Sequence, residues 1–180
     1  SAHGEPLGAD NIRAMKENLG WKPEPDFYVP DEVYSNMDEY IKEGQAKEES
    51  WNNLFKEYKS AYPELASQYE EWMSGKVKVE ALESEEFWSF DKSIATRQSS
   101  GMLINRLAEI IPNLIGGSAD LAPSNKTNMD SRGDFSAEDR SGSNLHFGVR
   151  EHAMAAITNG MQAHGGLQTY CSTFFVFSDY

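Results

Sequence analysis

A single cysteine, Cys171, stands among the 180 residues, so the chain cannot close an internal disulfide, and such usage fits a reducing compartment. No apolar run approaches the roughly 20 residues that a bilayer-spanning helix needs, and no signal peptide opens the sequence. The expectation is a soluble, cytoplasmic protein. Basic charge is also short: 16 Lys and Arg face 29 Asp and Glu, a net charge of −13, which makes nucleic acid and anionic membrane poor partners. Metal motifs are missing as well. There is no HExxH, one thiol cannot build a thiolate cluster, and His3, His146, His152 and His164 lack paired ligand spacing.

What is present can fill one ordinary core, with 39% hydrophobic and 12% aromatic residues. The acidity is uneven: residues 1–90 hold 9 basic and 20 acidic side chains, residues 91–180 hold 7 and 9. In the acidic half, Asp10 is placed to cap a helix from about Asn11 to Leu19 that Gly20 ends, and Pro23, Pro25 and Pro30 enforce extended chain. Residues 31–74 then read as helical. Trp51, Leu54, Phe55 and Tyr58 form one apolar stripe, and Leu65, Tyr69 and Trp72 form a second after Pro63, as core or docking surface. Gly75 to about Glu86 reads as a linker.

The second half alternates. Ser93 is placed to cap a helix to about Ile110, with Ile104, Leu107 and Ile111 on one face, before a short strand at Leu114–Gly117. A long polar loop over 123–143, functional or mobile, leads to a strand at Leu145–Phe147 and a helix from Arg150. A strand at Leu167–Ser172 and a new helix at Phe174 follow. This order predicts an α/β fold, a parallel sheet flanked by helices and preceded by a mainly helical acidic segment.

Four stretches and one histidine could carry chemistry. In GGSADLAPSN, Gly116 to Asn125, a glycine pair would let backbone approach a ligand, with Asp120, Ser124 and Asn125 as polar contacts. It lacks the lysine of a phosphate loop and the second glycine of a nucleophile elbow, and on physics alone an ordinary polar strand-to-loop turn is the better reading. In ATRQSS, Arg97 is either a surface cation or an anion ligand. In HFGVREHAMAAITNGMQAHGG, Glu151 lies between Arg150 and His152, before a helix whose Met154, Ile157 and Met161 should face the core and which Gly165 and Gly166 stop. Glu151 either complements the helix dipole or is a catalytic carboxylate at the carboxyl end of a parallel strand. In STFFVFSDY, Phe174, Phe177 and Tyr180 share a side, as core or as a clamp for a flat heteroaromatic ring. His3, on a loop in SAHGEPLG, could move protons near neutral pH.

Taken together in chain order, ATRQSS, GGSADLAPSN, HFGVREHAMAAITNGMQAHGG and STFFVFSDY closely resemble the transketolase family of thiamine diphosphate enzymes. HGEPLGAD, NLGW and the acidic helical stretch resemble the end of that family's diphosphate-binding domain and its linker, so the resemblance covers essentially the whole chain. It implies a partial thiamine diphosphate-binding fold: residues 1–65 as the tail of the diphosphate-binding domain, 66–88 as linker, and 89–180 as the first part of the pyrimidine-binding domain. It further implies that Glu151 contacts N1′ of the cofactor's aminopyrimidine. Phe174, Phe177 and Tyr180 would surround that ring, Asp120 would contact the cofactor, and Arg97 and Ser124 would hold a sugar phosphate. His3 would meet the diphosphate and the substrate from the other domain, in a homodimer whose site is shared between subunits.

The family's GDG-and-Asn motif for the divalent metal, magnesium or calcium, is absent, and the only Gly-Asp pair is Gly133 and Asp134 in the polar loop. The metal is therefore expected to be held by residues outside this chain. Opening on Ser1 and stopping at Tyr180, the chain is expected to be an internal fragment, inactive when isolated. The parent reaction implied is transfer of a two-carbon ketol unit from a ketose phosphate to an aldose phosphate in the pentose phosphate pathway. Dihydroxyacetone synthase and a non-enzymatic acidic helical interaction module are the alternatives.

Overall fold

The computed structural model describes residues 3–77 and 80–180. The chain forms two compact units, Ser1–Tyr58 and Lys59–Tyr180.

The first unit opens with α1 (Ala9–Asn18), and its start departs from the expected one: Gly8, at φ 81°, is the N-cap, and Asp10 lies inside the first turn. There its charge still complements the exposed backbone N–H groups. The far end behaves as expected. Gly20, at φ 70°, donates its N–H to Glu17 O and Trp21 donates to Lys16 O, the two bonds of a Schellman close that a left-handed residue makes possible. After the proline segment comes α2 (Asp31–Ala61), and Pro63 begins α3 (Pro63–Met73), where its missing N–H has no helical acceptor to lose. None of α2 is buried, and Ala66 alone is buried in α3, so the expected stripes are not a closed core. Trp51 and Phe55 stack at 6.0 Å on the surface of α2, and Phe55 and Tyr58 stack at 6.4 Å.

The expected linker is not featureless, since Glu80–Glu83 forms a 3-10 turn and α4 (Glu85–Trp88) a single helical turn. Arg106 donates to the carbonyls of Phe87 and Ser89, which fastens this stretch to the next helix. That helix, α5 (Thr96–Ile110), is capped by Ala95 rather than Ser93. Ala95 is extended, and Gln98 reaches back to its N–H at 3.4 Å, half of a reciprocal capping box.

Three parallel strands follow: β1 (Leu114–Ser118), β2 (Asn144–His146) and β3 (Gln168–Ser172), in spatial order β2-β1-β3. The register aligns Ser118 with both His146 and Ser172, so the strands finish level. Gly116 and Gly117 lie inside β1 rather than in a ligand turn. A Cβ on Gly117 would strike the Leu145 carbonyl and one on Gly116 the Tyr170 backbone, so the pair serves strand packing. Ala108, Ile111, Leu114 and Met129 form one buried cluster, with Ile104 and Leu107 packed on it as their spacing predicts. Ala119, Phe147 and Met154 form a second.

The polar loop between β1 and β2 is pinned down. Met129 is 1% exposed, and Asn144 clasps its N–H and C=O at 2.9 and 3.0 Å while donating to Arg132 O at 2.7 Å. On α7 (Glu151–His164), Met154 and Thr158 are buried but Ile157 is 47% exposed, against expectation. That helix packs on β3, which covers only one side of it. The segment after β3 is a 3-10 turn (Phe175–Phe177), not an α-helix.

Tyr170 on β3 donates its hydroxyl to Thr127 O at 2.6 Å, and burial pushes its pKa up to about 12. Tyr170→Phe should cost about 1–3 kcal/mol near neutral pH, because the buried Thr127 carbonyl loses its donor. A phenol whose folded pKa is raised contributes stability in full below the ordinary tyrosine range and loses it as pH rises toward 12. The gap between wild type and variant in urea denaturation should therefore narrow between neutral and strongly alkaline pH. An unchanged gap would contradict the assignment.

Candidate active site

The level ends of the three strands make one edge, and each strand delivers a predicted residue just beyond it. Beyond β1, Ala119 is buried and Asp120 turns outward at φ 59°, a left-handed conformation that aspartate tolerates better than most side chains. The chain then closes α6 (Ala122–Asn125), one helical turn on which Ser124 is exposed and Asn125 is 6% exposed. Asn125, read from the sequence as a polar contact, is turned inward: its amide donates to Ser118 Oγ at 2.7 Å. Its other end is paired as well, with the Thr127 hydroxyl donating to Oδ1 at 2.8 Å.

Beyond β2, Gly148 at φ 70° turns the chain, and the Arg150 guanidinium folds back over it, 3.3 Å from where a side chain on Gly148 would begin. Arg150 caps α7, so Glu151 is its first residue and half-buried, among backbone N–H groups that have no helical acceptor. His152 is exposed. Beyond β3, Phe177 N–H donates to Phe174 O, Ser178 to Phe175 O and Tyr180 to Phe177 O. Each of these bonds spans three residues, although only Phe175–Phe177 forms a 3-10 turn and Phe174 before it is extended. Phe174 and Phe177 are half-buried, while Phe175 and Tyr180 are exposed. Thr173 Oγ1 is buried at this edge with no hydrogen-bond partner among the described residues.

Arg97 is exposed in the first turn of α5. One turn later, Gly101 lies so near the loop that a Cβ there would come within 2.6 Å of Lys126 O, which draws the start of α5 toward α6 and Ser124. A groove of about 1080 Å³ runs along α5 past Gln98, Asn105 and Lys126, and none of the predicted site residues lines it. His3 belongs to the first unit, on an exposed turn. Among the described residues, no three His, Cys, Asp or Glu side chains could hold a metal ion. No helix among them is long and apolar enough to cross a membrane.

Two family descriptions account for nearly all of the chain: transketolase, thiamine diphosphate binding domain, over residues 1–78, and transketolase, pyrimidine binding domain, over residues 92–180. The chain belongs to the transketolase family. Transketolases of Halalkalibacterium halodurans and Bacillus subtilis are each 49% identical to it over 99% of its length. The chain spans 27% of the length of either relative. Transketolase from Leishmania mexicana superposes with a TM-score of 0.80 at 35% identity, over 97% of this chain and 26% of that one. A Pichia stipitis transketolase variant in complex with fructose 6-phosphate superposes at 0.78 and 37% identity, over 97% of this chain and 27% of that one. The segment is thus part of a transferase family.

Proposed function

We propose that this chain supplies the pyrimidine half of a thiamine diphosphate site within a transketolase. The observation that supports the reading is the shared edge of the sheet, beyond which the segments bearing Asp120, Glu151 and Phe174 all emerge. The donor chemistry fits that half of the cofactor: a carboxylate at a helix start, aromatics at three-residue steps, and an orphaned buried hydroxyl on Thr173. The other half needs phosphate and metal ligands, and the chain has no GDG segment to provide them. A divalent metal, magnesium or calcium, is assigned to the remainder of the parent protein.

In this reading residues 1–65 are the tail of the diphosphate-binding domain, 66–88 the linker and 89–180 the first part of the pyrimidine-binding domain. When bound, thiamine diphosphate supplies an acidic C–H whose loss gives the carbon nucleophile for ketol transfer. Glu151 holds a proton at N1′ of the aminopyrimidine, and the neighbouring aromatics keep water from that contact. Phe174, Phe177 and Tyr180 pack on the ring, and Asp120 meets the cofactor from the end of β1. Arg97 and Ser124 hold the sugar phosphate, a task for which a planar, permanently charged guanidinium is suited. His3 serves the diphosphate and substrate side of a site shared across a cytoplasmic homodimer. The reaction is transfer of a two-carbon unit from a ketose phosphate such as xylulose 5-phosphate to an aldose phosphate. Dihydroxyacetone synthase shares these motifs and differs in its formaldehyde acceptor. Family membership favours either enzyme over an acidic interaction module.

The 180-residue chain alone should not turn over xylulose 5-phosphate, because a cofactor anchored at one end is not oriented for reaction. Turnover by the purified chain, free of longer transketolase, would contradict this. In the full-length enzyme, Arg97→Ala should raise KM for phosphorylated donors by about tenfold or more, the size of a lost charge-assisted hydrogen bond. KM for hydroxypyruvate, which has no phosphate, should barely move. Equal losses for both donors would assign Arg97 to structure.

A further inference from the structure

Between the strand ends and the loop runs a buried line of hydrogen bonds that none of the proposed roles uses. Tyr170 donates its hydroxyl to Thr127 O at 2.6 Å, and Thr127 donates its own hydroxyl to Asn125 Oδ1 at 2.8 Å. Asn125 donates Nδ2 to Ser118 Oγ at 2.7 Å, and Ser118 donates onward to Ser172 O at 3.0 Å. The second amide proton of Asn125 reaches toward Ser172 Oγ at 3.5 Å. From the Thr127 hydroxyl through the Asn125 amide and the Ser118 hydroxyl to Ser172 O the donors point in one sense, the arrangement in which hydrogen bonds polarise one another in a low-dielectric interior, while Tyr170 anchors the Thr127 backbone.

Asn125 occupies the junction. Its side chain grips the last residue of β1 and approaches the last residue of β3, while its backbone N–H closes α6 on Leu121 O at 2.9 Å. Ser124, its neighbour in α6, is exposed, and Asp120 and Phe174 each lie two residues beyond the strand ends that this line ties together. A shift of the amide would therefore carry Ser124 with it, relative to the edge where Asp120 and Phe174 emerge. An asparagine satisfied on both ends also resists rotation, because either end left unpaired is a buried polar group without a partner.

We infer that Asn125 is a positioning residue: it touches no substrate, and it fixes the distance between the phosphate-holding Ser124 and the cofactor-facing edge of the sheet. The inference rests on the proposed role of Ser124 as a phosphate ligand. Asn125 thereby decides how far the phosphate lies from the reacting end of the sugar, which matters for phosphorylated substrates and not for short unphosphorylated ones.

The test uses full-length transketolase carrying this segment, with Ser124→Ala, Asn125→Leu and Thr127→Val. Thr127→Val preserves shape and removes only the donor that orients the Asn125 amide, so it carries the test if Asn125→Leu fails to fold. Each variant is assayed for KM with xylulose 5-phosphate and with hydroxypyruvate. Its Kd for ribose 5-phosphate is measured by calorimetry without a ketose donor, so that no turnover occurs. The expected result is a rise of about tenfold in KM for xylulose 5-phosphate and in Kd for ribose 5-phosphate in all three variants, the size of one weakened hydrogen bond to a charged group. KM for hydroxypyruvate should stay within about twofold of wild type. Selective loss in Ser124→Ala but unchanged or equal losses for both donors in the Asn125 and Thr127 variants would overturn the positioning role alone. No selective loss in Ser124→Ala would overturn the role of Ser124 and the inference with it.

Discussion

The arrangement depends on the close parallel packing of β1 between two neighbours. Gly116 and Gly117 leave no side chain where the Tyr170 and Leu145 backbones approach, and the register then brings Ser118, His146 and Ser172 level. In a parallel sheet all carboxyl ends face one way, so three strands that finish level present three outgoing segments along a single edge. Were β1 to carry ordinary side chains at these two positions, the strands could not keep this spacing.

From that edge outward, polar bonds take over from apolar packing. The loop after β1 is too polar to be held by burial alone, although Ala119 and Met129 join the two buried clusters. Asn144 and Asn125 do much of the rest, one clasping the Met129 backbone and the other linking α6 to the strand ends. Side-chain amides suit this work because each offers a donor and an acceptor at fixed separation, so a single residue satisfies groups on two segments. A loop anchored this way can expose Ser124 and Asp120 in fixed places without a hydrophobic foundation of its own.

The sequence carried much of this plan. Helical spacing of Ile104, Leu107 and Ile111, the glycine stop after His164, and the alternation of helix and strand all reappear in the fold. Glu151 at the start of a helix was legible because the apolar run after it could be nothing else. Less legible were features set by neighbours distant in sequence. Gly116 and Gly117 look like a ligand loop until β2 and β3 are placed beside them, and Asn125 looks like a ligand until Ser118 and Thr127 show where its amide goes. Helix starts at Gly8 and Ala95 are not legible, because neither residue offers the side-chain oxygen by which caps are recognised. Helical spacing places Ile157 inside, yet it is exposed, because periodicity states which residues share a face, not how wide the covering surface is.

The central claim is that Glu151 works on the cofactor and is more than a charge complementing a helix start. Exchange of the thiazolium C2 proton with deuterated water, followed in full-length enzyme saturated with thiamine diphosphate, measures this directly for wild type and Glu151→Gln. Glutamine keeps the shape and cannot share the proton, so exchange should slow by about 100-fold or more while the protein folds normally. Wild-type exchange in the glutamine variant would contradict the account and leave Glu151 as a helix-start carboxylate.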